Sequence, residues 1–387
     1  VLVVGMGDTG VLVAVHLGRR VEVTGVAARP ALVSGQELGT RLADPRRWRR
    51  SYLVALSRFR RLDRARLLHG EVRRLDLSSG EAEVALAGGG TTVVGWDALV
   101  IATGVSNGFW RRHRVEDLDD VERGLDQVAA EIAAAGSIAV VGGGATGVSA
   151  AANLARRHPE KTVHLFFSGE QPLPGYHPRV RDELTAELQR SGVVLHTGHR
   201  AVLPDGFGAD RLTKGPVEWS TGQDAVEADV TLWAVGAVRP NTDWLPADLL
   251  DEQGFVRVDE RLAVPGHPRV FAVGDVAASD PHRSSARNWG WRIVCHNVRV
   301  ATTGRGRLRR YSAPPHRWGS ILGVQPEGMV VHQPDGRSFR VPRWLADPLL
   351  FRGFVEGYLY GGLRRARWRR PNGGDGTGSP GARSEPM

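Results

Sequence analysis

The chain has a single cysteine, Cys295, in 387 residues. One thiol excludes an internal disulfide, a CxxC redox pair and a cysteine metal cluster. Cys295 sits in the apolar run WRIVCHN, a helical stretch in which packing is the expected role. Lysine is almost as scarce. Lys161 and Lys214 are the only two, so the formal charge of +9 is carried by arginine. Such a skew follows the base composition of a GC-rich genome and is not read as a nucleic-acid footprint. No zinc spacing, aromatic-basic RNA motif or recognition-helix pattern accompanies it, and no nucleic-acid partner is expected. A basic face can still attract an anionic membrane or an acidic protein. No apolar run reaches the ~18 residues of a membrane span. The 13 histidines form no ligand pattern. His177, His196 and His199 read as solvent or backbone partners, and no metal is expected. An apolar strand begins at Val1, so no signal peptide is read, and valine in place of methionine suggests a start trimmed by a residue or two. The expected location is cytoplasmic.

Glycine, by contrast, is abundant, at 49 residues. One GxGxxG in such a chain is weak, but two occur. Gly5-Met6-Gly7-Asp8-Thr9-Gly10 follows the run VLVV, and Gly142-Gly143-Gly144-Ala145-Thr146-Gly147 follows SIAVV. Each is continued by a helical pattern, VLVAVHL or VSAAANLARR. In such a motif the first glycine permits the tight turn out of the strand. The second lets the backbone approach a pyrophosphate, and the third lets helix and strand pack closely. N–H groups at the helix start then face the phosphates, helped by the helix dipole. Gly274-Asp275, after VFAV, is the third landmark. The order implies two dinucleotides bound face to face, as when a flavin meets a nicotinamide.

The fold class read from this order is α/β. Two Rossmann-like domains of the three-layer ββα kind are expected, with a small C-terminal α+β region. Residues 1–112 and 254–310 are expected to form a first, discontinuous dinucleotide-binding domain, with EVRRLDL and TTVVGW as a β-meander and ALVIATG as a buried parallel strand. Residues 113–253 are expected to form a second, with helices in VERGLDQVAAEIAAA and PRVRDELTAELQRSG. A helix containing SSARNWGWRIVCHNVRVA follows the Gly-Asp pair. Residues 311–370 form a C-terminal hairpin and interface region, and residues 371–387 a low-complexity tail expected to be disordered.

These landmarks resemble the pyridine nucleotide-disulfide oxidoreductase superfamily, over roughly residues 1–365. The closest likeness is to its thiol-free branch of type II NADH dehydrogenases and apoptosis-inducing-factor-like flavoproteins. Beyond the fingerprints, the resemblance rests on Ala102-Thr103-Gly104, on Ala234-Val235-Gly236 followed by Arg239-Pro240-Asn241, and on VFAVGDVA. The strings VSGQELGTRLADPRRW, TGVSNGFWRR, SSARN and RWGS are also similar to a group of actinobacterial FAD-dependent oxidoreductases with no assigned substrate. The resemblance implies FAD in the first domain, at Gly5, Gly7, Asp8, Thr9, Gly10, Ala102, Thr103, Gly104, Gly274 and Asp275, with Asp275 on the ribityl chain. It implies NAD(P)H in the second, at Gly142, Gly144, Ala145, Thr146, Gly147 and Gly236. Hydride would pass from NAD(P)H to flavin N5, which needs alignment at about 3–3.5 Å more than acid–base groups. With no cysteine relay, electrons would leave the flavin directly. A quinone is the leading acceptor; the alternatives are a ferredoxin-like protein, or a non-catalytic flavoprotein that uses nucleotide binding for regulation.

The departures matter as much. Rossmann sites usually end strand two with an acid that grips the adenosine ribose. In the first unit that position falls at about Gly25, and no acid follows until Glu37, leaving Arg29 or backbone to hold the FAD ribose. In the second unit it falls at about Phe167, where Ser168 can donate to a 2′-phosphate; the nucleotide is left as NAD(P)H. Ser149 stands where the family often has a glutamate near the nicotinamide ribose. Gln36, Glu37, Asn288 and Trp289 are the candidates for contact near the flavin, with domain packing the equal alternative for the tryptophans. The run LLFRGFVEGYLYGGLRRARWRR puts apolar residues 351, 354, 355, 358 and 359 on one helical face beside an arginine cluster. Two readings stand for it: peripheral contact with the inner face of a membrane, or domain packing followed by a solvated tail. The oligomeric state is not legible.

Overall fold

The computed structural model describes residues 1–33, 38–106, 114–203, 205–207, 209–235 and 238–365. Its main sheet has eight strands. From one edge to the other they are Ala263–Val264, His267–Ala272, Leu99–Ile101, Leu2–Val4, Thr24–Ala27, Arg66–Asp76, Glu81–Leu86 and Thr91–Gly95. The five from His267–Ala272 to Arg66–Asp76 run parallel. Their interior residues are apolar on both faces, as a doubly covered parallel sheet demands. Helices Asp8–Leu17 and Gly290–Thr303 cover one face, around Val3, Val100, Phe271 and Val294. The antiparallel meander of residues 66–95 folds its apolar side over the other, packing Val72, Val84 and Val94 on Leu2, Leu99 and Ile101. The result is the expected helix–sheet–meander layering.

The second sheet has five strands, in the order Val194–His196, Thr162–Phe166, Ser137–Val141, Val226–Trp233 and Thr213–Val217, with only the last antiparallel. Helices Ala145–Arg157 and Pro178–Arg190 cover one face, and an aromatic layer of Phe166, Trp219 and Trp233 covers the other. Helix Leu118–Ala134 opens on a capping box in which Asp117 and Asp120 satisfy each other's backbone N–H. Leu38, Leu42 and Ala43, from helix Leu38–Ala43, belong to this second core although the helix lies early in the chain. The two units therefore share a seam.

The C-terminal region carries the expected hairpins as a three-stranded antiparallel sheet, Val324–Gln325, Gly328–His332 and Ser338–Val341. The following segment does not present one apolar face. Ala346–Leu359 is a wide-turn π-helix, whose larger turn redistributes the side chains. Phe351 packs on the small C-terminal core and Leu359 on the first core, while Phe354 and Tyr358 stay exposed. No helix among the described residues is long and apolar enough to cross a membrane. The tail at 371–387 lies outside the described residues.

Candidate functional site

Both fingerprints fold as strand, turn and helix, and their glycines divide the work alike. Gly5 (φ +93°) and Gly142 (φ +125°) hold backbone angles that only glycine takes readily. A Cβ on Gly10 would run into the Gly5 carbonyl oxygen, and one on Gly147 into that of Gly142, so each helix rests on its own turn. At Gly7 and Gly144 a Cβ would meet nothing within 4 Å. These two glycines are N-caps of helices Asp8–Leu17 and Ala145–Arg157, with no side-chain cap over the free N–H groups. Each cradle is thus bare backbone with open space above it, the shape and polarity a pyrophosphate requires.

The cradles open onto one cleft of about 520 Å³. Gly5–Thr9, Arg29, Ala102–Gly104 and Gly274-Asp275 line it from the first unit, and Gly144-Ala145-Thr146 and Ala234 from the second. Gly10 and Gly147 sit beneath the cradles, and Gly142 forms the turn against Ala234. Gly274 (φ +90°) lies so close to Thr9 that a Cβ would stand 3.1 Å from its Oγ1, and its N–H donates to Ser285 Oγ at 2.9 Å. The two crossovers between units are stapled together. Thr103 Oγ1 donates to the Asn241 carbonyl at 2.9 Å, and Asn241 Nδ2 donates back to the Thr103 carbonyl at 2.9 Å. Strands Val105–Ser106 and Arg239–Pro240 pair beside them.

Other expected residues sit elsewhere. Gln36, Glu37 and Gly236 lie outside the described residues. Ser168 is exposed just past its strand and is not among the described residues that line the cleft. Asn288 does line the cleft, but its amide is engaged: Nδ2 donates to Ser284 Oγ at 2.6 Å and to Tyr311 Oη at 3.3 Å, and Oδ1 accepts from Trp318 Nε1. Trp289 is not among the described lining residues. It packs edge-on against Phe354 with centroids 6.1 Å apart, and the Arg292 guanidinium lies 4.2 Å from its ring, which is the packing alternative. The reason is that the helix after the Gly-Asp pair starts only at Gly290. Ser284–Trp289 turns back on Gly274 instead, and Trp289 takes a left-handed backbone angle (φ +60°) at the helix start.

Strand two also ends later than expected. It runs Thr24–Ala27, so the first side chain with a polar group past its end is Arg29, two residues on, rather than one near Gly25. Glu116 reaches this place from the far side of the crossover and binds Arg29. Ser149 is 5% exposed and is not among the described residues that line the cleft. A Cβ at Gly39 would lie 2.5 Å from both the Ser149 carbonyl oxygen and Oγ, so this is where the two units' helices cross. A glutamate at 149 has no room. Sequence reading also missed Tyr176, His282 and Arg317, which line the cleft too. The string RWGS was the available signal, since Arg317 and Trp318 belong to it.

Cys295 is half-buried against the first core, and desolvation pushes its thiol up to about 12, which leaves it protonated at neutral pH. His177 accepts from the Arg179 N–H as a helix cap, His199 bonds the Thr197 carbonyl, and His164 Nδ1 lies 3.0 Å from His196 Nε2. Among the described residues no group of three or more His, Cys, Asp or Glu side chains is placed to hold a metal ion.

Comparison with known proteins agrees with this geometry. Fe-regulated protein 8 of Mycosarcoma maydis is 30% identical over 283 residues, which are 68% of this chain and 69% of that protein. The ferredoxin reductase for the CYP199A2 system from Rhodopseudomonas palustris superposes with a TM-score of 0.61 at 20% identity, covering 82% of this chain and 78% of that one. NDH2 from Plasmodium falciparum, solved in complex with NADH, superposes with a TM-score of 0.56 at 16% identity, covering 71% and 64%. At these identities the two structures establish the fold. The sequence model of the pyridine nucleotide-disulphide oxidoreductases matches residues 1–290, and the chain belongs to that family.

Proposed function

We propose that this chain is an FAD-dependent NAD(P)H oxidoreductase that passes electrons directly to an acceptor, with a quinone as the leading acceptor. One observation carries the reading: two dinucleotide cradles open onto a single cleft. FAD and NAD(P)H are the cofactors of the family. The residues fit them, because the space above Gly7 and above Gly144 is open and each is flanked by free helix N–H groups. Gly5, Gly7, Asp8, Thr9, Gly10, Ala102–Gly104, Gly274 and Asp275 would hold FAD. Gly142 and Gly144–Gly147 would hold NAD(P)H. The corresponding domain division is residues 1–112 with 254–310, residues 113–253, and residues 311–370, with helix Leu38–Ala43 lent to the second core.

When bound, FAD supplies the hydride acceptor and a two-electron store. The protein's part is placement. The two helix N-termini fix the pyrophosphates, the Thr103–Asn241 staple fixes the crossovers, and the Gly39–Ser149 crossing fixes how far apart the units stand. Direct electron exit is supported by Cys295 being a lone thiol, which rules out a cysteine pair as relay. A quinone is supported by the aromatic residues Tyr176 and Trp318 among those that line the cleft. A ferredoxin-like acceptor is the second reading, favoured by the net charge of +9. Peripheral contact with an anionic membrane belongs to the first reading. Trp344, Leu349, Phe354 and Tyr358 are exposed near Arg343 and Arg352, and sedimentation with anionic vesicles tests it.

The acceptor is tested by supplying 1,4-naphthoquinone to the FAD-loaded protein. Reduction of one quinone per NAD(P)H, little affected by salt, is the expected result. Turnover that needs an acidic ferredoxin and collapses as salt rises would replace the quinone by a protein.

A further inference from the structure

The cleft has a cationic end. Where dinucleotide folds place a carboxylate to accept from the adenosine ribose hydroxyls, this chain places Arg29, with Arg114 beside it on the same wall. One carboxylate gathers both guanidiniums. Arg29 donates from Nε to Glu116 Oε2 at 2.6 Å, with Nη2 at 2.6 Å from the same oxygen, and Arg114 donates from Nε to Oε1 at 2.7 Å. Glu116 is itself held fast. Its N–H donates to the Ala28 carbonyl at 2.9 Å, its carbonyl accepts from His69 Nε2 at 3.1 Å, and it is 8% exposed. Burial pushes its carboxyl up, but the charge of Arg29 and the hydrogen bonds of Arg114 and Arg29 outweigh this, so the group stays below its ordinary range and ionised.

A purely structural ion pair would need one arginine. Here two guanidiniums meet one carboxylate, and both arginines line the cleft. The arginines line the main cleft, while Glu116 sits behind them in a side cavity. The Arg114 side chain keeps 54% of its surface exposed, so the fold gains little from it. Guanidinium forks match phosphate oxygens and also donate to hydroxyl oxygens.

We infer that Arg29 and Arg114, oriented by Glu116, form a donor-type clamp for the adenosine diphosphate end of FAD, in place of the usual acceptor-type ribose clamp. The inference rests on the reading of the first cradle as the FAD site. Arg29 and Arg114 are binding residues in it, and Glu116 is a positioning residue. An acceptor clamp recognises ribose hydroxyls alone. A donor clamp recognises the anionic half, so its affinity depends on salt and on the ligand's phosphates.

The test titrates FAD into apo-protein, read by quenching of flavin fluorescence, with ADP and adenosine as competitors. FAD affinity should fall as salt rises, and ADP should displace FAD at about tenfold lower concentration than adenosine. Arg114→Ala should raise the FAD Kd about tenfold and flatten its salt dependence, with Arg114→Lys recovering part of the loss. Glu116→Gln should weaken FAD and leave NAD(P)H binding unchanged. Because Glu116→Gln can also disturb the crossover, the exposed Arg114 decides. FAD and ADP affinities unchanged in both Arg114→Ala and Arg29→Ala would overturn the clamp while leaving the FAD site standing. Wild-type protein that takes up no FAD would overturn both.

Discussion

The two cradles are near copies of each other in backbone and differ in everything attached to them. A Cβ on Gly10 would lie 3.4 Å from the Ala102 Cβ, and one on Gly147 would lie 3.4 Å from the Ala234 Cβ. Ala102 and Ala234 hydrogen-bond to Val4 and Val141, each at 2.8 Å. Beyond the turns the likeness stops. The first cradle's second strand ends at a basic clamp on a distant glutamate. The second cradle's helix carries Ser149 into a tight crossing with the other unit. On the proposed function, the glycine motif would fix only how a pyrophosphate is held, and residues outside the motif would set the identity of each ligand and the distance between the two.

The largest expected effects come from breaking one cradle at a time. Gly7 and Gly144 both have extended backbone and open space, so alanine is tolerated by the apo fold. Gly7→Ala should leave the apo melting temperature unchanged yet yield nearly colourless protein. Gly144→Ala should give yellow protein whose flavin is bleached by NAD(P)H about a hundredfold more slowly. Equal loss of both properties in each variant would refute the division of labour. Next comes the seam. At Gly39 a Cβ would also stand 2.6 Å from Asn153 Nδ2, so Gly39→Ala must push the units apart. It should cost about 1–3 kcal/mol in denaturant unfolding and slow bleaching about tenfold, with FAD affinity unchanged. An unaltered bleaching rate would mean the crossing does not set the spacing.

The smallest effect belongs to the second unit alone. Burial lowers the pKa of His164 and of His196, and for His196 the neighbouring His164 and His199 add to it. The unfolded chain therefore takes up protons first as pH falls. Stability from this pair is full above about pH 6.5, is lost as pH drops toward the folded values, and levels off below them. The melting temperature should drop by about 2 °C between pH 7 and 5 more in wild type than in His164→Asn. Equal acid sensitivity in the two proteins would place the loss elsewhere.

The parts of the fold legible in the sequence were those with local signatures. Strand, glycine turn and helix follow one another within about a dozen residues in both fingerprints, and the meander shows as alternating apolar runs between turns. The ATG and RPN strings were legible as landmarks, though their mutual hydrogen bonds span 138 residues. What escaped was set by tertiary contact. Nothing near strand two announces that Glu116, 87 residues from Arg29, is the carboxylate that orients it. Ser149 looks like a lost ligand until Gly39 is seen against it. The fold-back of Ser285 onto Gly274 just before the helix start at Gly290 is not revealed by periodicity, so the sequence leaves flavin contact and domain packing equally open for Trp289, which in the structure packs against Phe354.

The claim that two nucleotides meet in one cleft is tested most directly by mixing the FAD-loaded protein anaerobically with NADH, and separately with NADPH, while following the flavin absorbance. The account predicts rapid bleaching by at least one of them. A flavin that stays oxidised with both would contradict it, and would make the second cradle a regulatory nucleotide site with no path for hydride into the first.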